Sequence, residues 1–84
     1  MTRGEIIALV RSHLVSELEI DPGRVDEGTR FKEDLDADSL DLVTLVVELE
    51  DTYGVRIPDE EAARIVSVGQ AVDYILAHAP QATR

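Results

Sequence analysis

Ser39 is a hydroxyl set among carboxylates: Glu33, Asp34, Asp36 and Asp38 lead up to it and Asp41 follows closely. A serine acts as a nucleophile when a neighbouring base takes its proton, and no such base stands beside Ser39. What remains open to it is to be modified. An exposed hydroxyl where a loop becomes a helix is a good attachment point, because the free N–H groups and the dipole of a helix start favour an anionic group. The other chemistry-bearing residues form no set. His13 lies near the apolar stripe of a first helix and His78 at the end of a last one. Neither has a local partner for general-base work. Ser12, Ser16 and Ser67 have structural explanations, and Tyr53 and Tyr74 read as core-edge residues. Asp34, Asp36 and Asp38 imitate the opening of a calcium loop, but Ser39 stands where that loop needs glycine and Leu45 where it needs a bidentate glutamate. No metal site is expected.

The element that must position Ser39 is the apolar run behind it. Leu40, Leu42, Val43, Leu45, Val46, Val47, Leu49 and Tyr53 recur at helical spacing. Asp38 suits the N-cap, Asp41 the first turn, and Gly54 a left-handed end. This predicts a helix over 39–53. Ahead of it, Thr2 and Glu5 make a capping box for a helix carrying Ile6, Ile7, Val10, Leu14 and Leu18, which must stop before Asp21-Pro22-Gly23. Residues 21–37 then form a long connection. Val25, Phe31 and Leu35 are its apolar anchors, so the loop is expected to be pinned to the bundle. Beyond it, Val55-Arg56-Ile57-Pro58 reads as an extended link and Asp59 as the cap of a short helix through Ala63. Ser67 with Gln70 opens a last helix bearing Val68, Val72, Ile75 and Leu76. The expected fold is all-α, a small four-helix bundle with three longer helices, a short third one and a long loop between the first two. Residues 1–84 are read as a single domain, with 1–2 and 80–84 frayed.

With 84 residues and no cysteine, disulfides and thiolate metal sites are excluded. No apolar run is long enough to cross a membrane, and no signal-peptide pattern opens the chain. The net charge is −10, and it is segregated. Residues 33–61 carry eleven acids against Arg56 alone, while the remainder carries seven acids and seven bases. Like charge on one face could simply keep a domain soluble, but that explains the sign and not the segregation. Such a face disfavours nucleic acid and anionic membranes and suits basic protein surfaces.

The run Phe31-Lys32-Glu33-Asp34-Leu35-Asp36-Ala37-Asp38-Ser39-Leu40-Asp41 resembles the attachment motif of acyl carrier proteins. The likeness continues through Val43, Leu45, Val46, Glu48, Asp51 and Tyr53, through Ile57-Pro58-Asp59-Glu60-Glu61-Ala62, and through Ser67-Val68 to Ile75. The resemblance implies that Ser39 carries 4′-phosphopantetheine, installed from coenzyme A by a holo-acyl-carrier-protein synthase that Asp38 assists. Acyl groups would hang as thioesters from the arm. The reactive sulfur is then imported, which fits a chain without cysteine. The resemblance also implies a docking surface on the second helix, here Leu40, Asp41, Val43, Val47, Glu48, Glu50 and Asp51. Leu45, Val46, Leu49, Ile57 and Ile65 are its cargo-lining candidates. One departure stands out. Many relatives read Gly-Ala-Asp-Ser, whereas this chain has Asp36 in the glycine place. Aspartate tolerates a left-handed backbone, so the loop can keep its shape while gaining a charge.

The sequence is thus read as that of a cytoplasmic, monomeric carrier without catalytic activity of its own. It would serve ketosynthase, acyltransferase and related enzymes of fatty-acid or polyketide synthesis through their basic docking surfaces. A helix that begins almost at Met1, with no flanking linker, is read as a free-standing protein. Two other readings share the fold: an adaptor module with Ser39 unmodified, and a carrier of amino or other activated acids.

Overall fold

A computed structural model describes residues 2–79, and these residues contain four α-helices and no strand. Helix α1 spans Arg3–Leu18, α2 Ser39–Tyr53, α3 Asp59–Ala62 and α4 Val68–His78, with a 3₁₀ turn at Pro22–Arg24 inside the first connection. The all-α bundle with a short third helix matches the expectation, and Ser39–Tyr53 is the helix the apolar spacing predicts. Met1 and residues 80–84 lie outside the described residues, so the fraying expected of them does too. Thr2 caps α1: its hydroxyl accepts from the Glu5 N–H at 3.2 Å and its own N–H donates to Glu5 at 2.9 Å.

The core is aliphatic with one aromatic ring. Ile6, Val10 and Leu14 of α1 meet Leu45 and Leu49 of α2 and Val68, Ala71, Val72 and Ile75 of α4, all buried. Ile7, Leu18 and Leu76 pack at the edge. The long loop supplies the rest. Val25, Phe31 and Leu35 are buried as anchors, and Ala37 and Thr29 join them. The Thr29 hydroxyl accepts from the Asp26 N–H and donates to the Arg24 carbonyl, both at 2.9 Å, so this polar side chain is satisfied inside.

Two sets of bonds hold the loop. In one, loop carbonyls take the orphan donors of the α4 start. The Val68 N–H donates to Thr29 at 2.9 Å and the Gly69 N–H to Glu27 at 2.8 Å, while the Phe31 N–H reaches the Val66 carbonyl at 3.0 Å. The approach is close enough that a Cβ on Gly69 would stand 2.9 Å from the Glu27 oxygen. In the other, arginines grip the loop from several sides. Arg11 donates to the Val25 carbonyl at 3.2 Å and Arg24 to the Asp34 carbonyl at 2.8 Å. Arg3 pairs with both Glu27 and Asp73, which ties the loop to α1 and α4.

Two sequence expectations need correction. Asp59 does not cap α3: Pro58 holds the N-cap position, there is no side-chain cap bond, and Asp59 is already the first helical residue. Proline sets the required φ just before the helix, which moves the start one residue earlier. The Ser67–Gln70 box is only half reciprocal. Ser67 accepts from the Gln70 N–H at 3.3 Å, but the Gln70 side-chain oxygen takes the N–H of Val66, at 2.9 Å.

Candidate functional site

Ser39 is the first residue of α2 and is exposed. Its neighbours build a rigid helix start. Asp38 accepts from the Asp41 N–H at 3.0 Å and the Asp41 carboxylate accepts from the Asp38 N–H at 3.2 Å, a reciprocal capping box made of two aspartates. The Leu42 N–H goes to the Asp38 carbonyl. Those of Ser39 and Leu40, which no turn of the helix can satisfy, remain for a group attached at the hydroxyl. The residues present therefore fit a phosphodiester on Ser39: an exposed oxygen, two free amides, and the positive end of a fifteen-residue helix.

Upstream, each loop acid but one is engaged. Asp34 accepts from the Arg30 N–H at 2.8 Å and from its guanidinium, while Glu33 takes the same guanidinium at 2.9 Å. The Arg30 backbone N–H first, and its guanidinium second, hold the Asp34 carboxyl below the usual carboxylate range. Asp36 sits at φ 58°, in the left-handed region that the glycine place of the motif suggests. Ala37 next to it is buried, and its N–H donates to the Phe31 carbonyl at 2.9 Å. The turn is thus locked from both sides.

The α2 face beyond Ser39 is open. Leu40, Val43 and Val47 are 72%, 57% and 48% exposed, although all three belong to the apolar pattern of the helix. They run in one stripe (i, i+3, i+7), flanked by the exposed acids Glu48 and Asp51 and the half-buried Asp41. Glu50 differs. Its carboxylate accepts from the Ile57 N–H at 2.8 Å and so fastens the link that follows α2. Behind the face, the Nδ1 of His13 lies 3.8 Å from the Glu48 carboxylate, too far for a hydrogen bond. Its Nε2 is buried with no partner among the described residues.

The five cargo-lining candidates divide. Leu45 and Leu49 are core residues, 2% and 1% exposed, and line no cleft. Val46 and Ile57 line an apolar cleft between α2 and α3, with Val47, Glu50 and Ala62. Ile65 lines a second one beside the loop, with Phe31, Lys32, Ala63 and Val66. Leu42 stands in the wall of both. Neither it nor the half-exposed Val66 is a cargo-lining candidate on sequence alone. The available signal is the place of Leu42 on the apolar pattern, one turn after Ser39.

A helical bundle that presents one unassisted serine at a capped helix start, beside an open acidic-apolar face, defines a prosthetic-group carrier. Residues 8–75 match the family described as the phosphopantetheine attachment site. Over 78 residues the chain is 46% identical to the acyl carrier protein of Rubrobacter xylanophilus, covering 93% of this chain and 96% of that one. It is 44% identical to that of Lactobacillus acidophilus, covering 93% and 98%. A solved structure of the acyl carrier protein from Enterococcus faecalis superposes with a TM-score of 0.81 at 39% identity, covering 94% of this chain and all of that one. The chain belongs to the acyl carrier protein family, with 4′-phosphopantetheine as its cofactor. Among the described residues no helix is long and apolar enough to cross a membrane.

Proposed function

We propose that Ser39 is the residue that takes 4′-phosphopantetheine from coenzyme A, and that the loaded chain shuttles acyl groups between enzymes of fatty-acid or polyketide synthesis. The observation that carries this is the free, exposed Ser39 hydroxyl on the first turn of α2, held by a capping box that leaves two amides for the phosphate. The bound arm supplies a thiol on which an acyl group rides as a thioester. The chain's own residues do the rest. Asp38 fixes the helix start and stands next to the serine for the holo-synthase reaction. Leu40, Val43 and Val47 offer apolar contacts within the charge of Asp41, Glu48 and Asp51, a surface for the basic faces of a ketosynthase, an acyltransferase and the loading enzyme. Glu50 contributes charge at its edge while it secures Ile57. Val46, Ile57 and Ile65, with Leu42 between the two clefts, are the residues placed to shelter a short acyl chain. Leu45 and Leu49 act there only as the floor of the core. We read residues 1–84 as one monomeric, cytoplasmic carrier domain with no catalytic activity of its own, no nucleic-acid partner and no membrane partner.

The test is an intact mass after incubation with coenzyme A, magnesium and a holo-synthase, with Ser39→Ala in parallel. One phosphopantetheine increment on the wild type and none on the variant is expected. A folded wild type that stays unmodified with its own organism's holo-synthase would leave the adaptor reading in its place. Glu48→Lys with Asp51→Lys should slow acyl transfer to a partner enzyme and flatten its salt dependence while helicity is unchanged.

A further inference from the structure

The four aspartates nearest Ser39 are not equivalent. Asp34 is bound by Arg30, and Asp38 and Asp41 are bound to each other's backbone. Asp36 is exposed, and its carboxylate has no hydrogen bond or ion pair among the described residues. Lys32, whose carbonyl accepts the Asp36 N–H at 3.1 Å, makes no ion pair with it. Asp36 also holds a left-handed backbone, φ 58°, which glycine adopts freely and an L side chain does not. The fold therefore makes no use of the side chain and bears a conformational cost for having one. An unpartnered charge retained at such a position, in the turn that delivers the modified serine, points outward to whatever meets that serine.

We infer that Asp36 is a specificity determinant for loading: the enzyme that modifies Ser39 reads its carboxylate with a lysine or arginine. This rests on Ser39 being the attachment residue. Ser39 supplies the reacting oxygen and Asp38 the cap, while Asp36 makes an exposed charge contact in the encounter and in the bound complex. Such a contact changes kcat/KM and its salt dependence, and it leaves the folded state alone.

The experiment compares the full chain with Asp36→Asn and Asp36→Gly as substrates of the holo-synthase from the same organism, at low and high salt, with thermal melting of each. Asparagine tolerates the left-handed backbone and removes only the charge; glycine removes the charge and the backbone cost. Both variants should lose about three- to fivefold in kcat/KM at low salt and converge with the wild type at high salt. Their melting temperatures should equal or exceed the wild type's. An Asp36→Asn substrate loaded at the wild-type rate, with the wild-type salt dependence, overturns the inference. A loss confined to Asp36→Gly overturns it as well, since the backbone would then be what matters. Absence of any mass increment on the folded wild type, as on Ser39→Ala, overturns instead the attachment reading beneath it.

Discussion

Two connections join the long helices, and they are built in opposite ways. Residues 19–38 have almost no regular structure, yet they bury Val25, Thr29, Phe31, Leu35 and Ala37 and are held by Arg11, Arg24, Arg30 and Arg3. Residues 54–67 contain a helix, yet α3 buries none of its residues and lacks a side-chain cap. Two apolar clefts lie against it. Regular secondary structure is therefore a poor guide to which segment is firm. Side-chain anchors and satisfied backbone groups decide that, and in this chain the firm segment is the one that presents Ser39. The looser one borders the space in which we place the cargo.

The contrast can be broken from its firm side. Phe31→Ala should have the largest effect, a loss of about 3–5 kcal/mol in chemical denaturation, because the ring is 1% exposed and fills the centre of the loop. In a domain of ordinary marginal stability that is a large share of the total. A loss below about 1 kcal/mol would mean that the loop is not anchored as described. Next comes Gly69→Ala. Glycine to alanine inside a helix usually stabilises, but a Cβ there meets the Glu27 carbonyl oxygen at 2.9 Å. The expected sign is reversed, to a loss of about 1–3 kcal/mol, and a rise in melting temperature would refute the close seam between loop and α4.

The looser side is sharpened by hydrogen exchange. Amides of residues 59–65 should exchange well before those of 29–37, and Ala62→Gly should speed the former about fivefold with little change in the global melt. Uniform protection across both connections would abolish the contrast. The smallest effect concerns Asp34. Its folded carboxyl is held below the ordinary range by Arg30. Its contribution is therefore present above the unfolded carboxylate's titration and fades as pH falls through the lowered folded value. Asp34→Asn should leave the acid limb of a pH–stability profile slightly less steep than the wild type's, and should matter little in high salt because both partners are exposed.

Much of the site is legible in the amino-acid order alone. Helix α2 from Ser39 to Tyr53, its Asp38–Asp41 cap, its Gly54 end at φ 65° and the left-handed tolerance at Asp36 all derive from caps and spacings that act over a few residues. Val25, Phe31 and Leu35 can be picked as anchors because large apolar residues in a polar loop must be buried or costly. Local patterning does not reveal what lies across from each group. That Val43 and Val47 face outward while Leu45 and Leu49 face the core, that Glu50 is taken by Ile57, and that Leu42 separates two clefts depend on which helix packs on which side. The same holds for the loop carbonyls that receive the first N–H groups of α4 and for the arginines that grip the loop. Short-range periodicity and capping determined the helices and the place of the serine. Only the tertiary structure chose the long-range partners, because a backbone carbonyl or a guanidinium carries no mark in the sequence of the distant group it will meet.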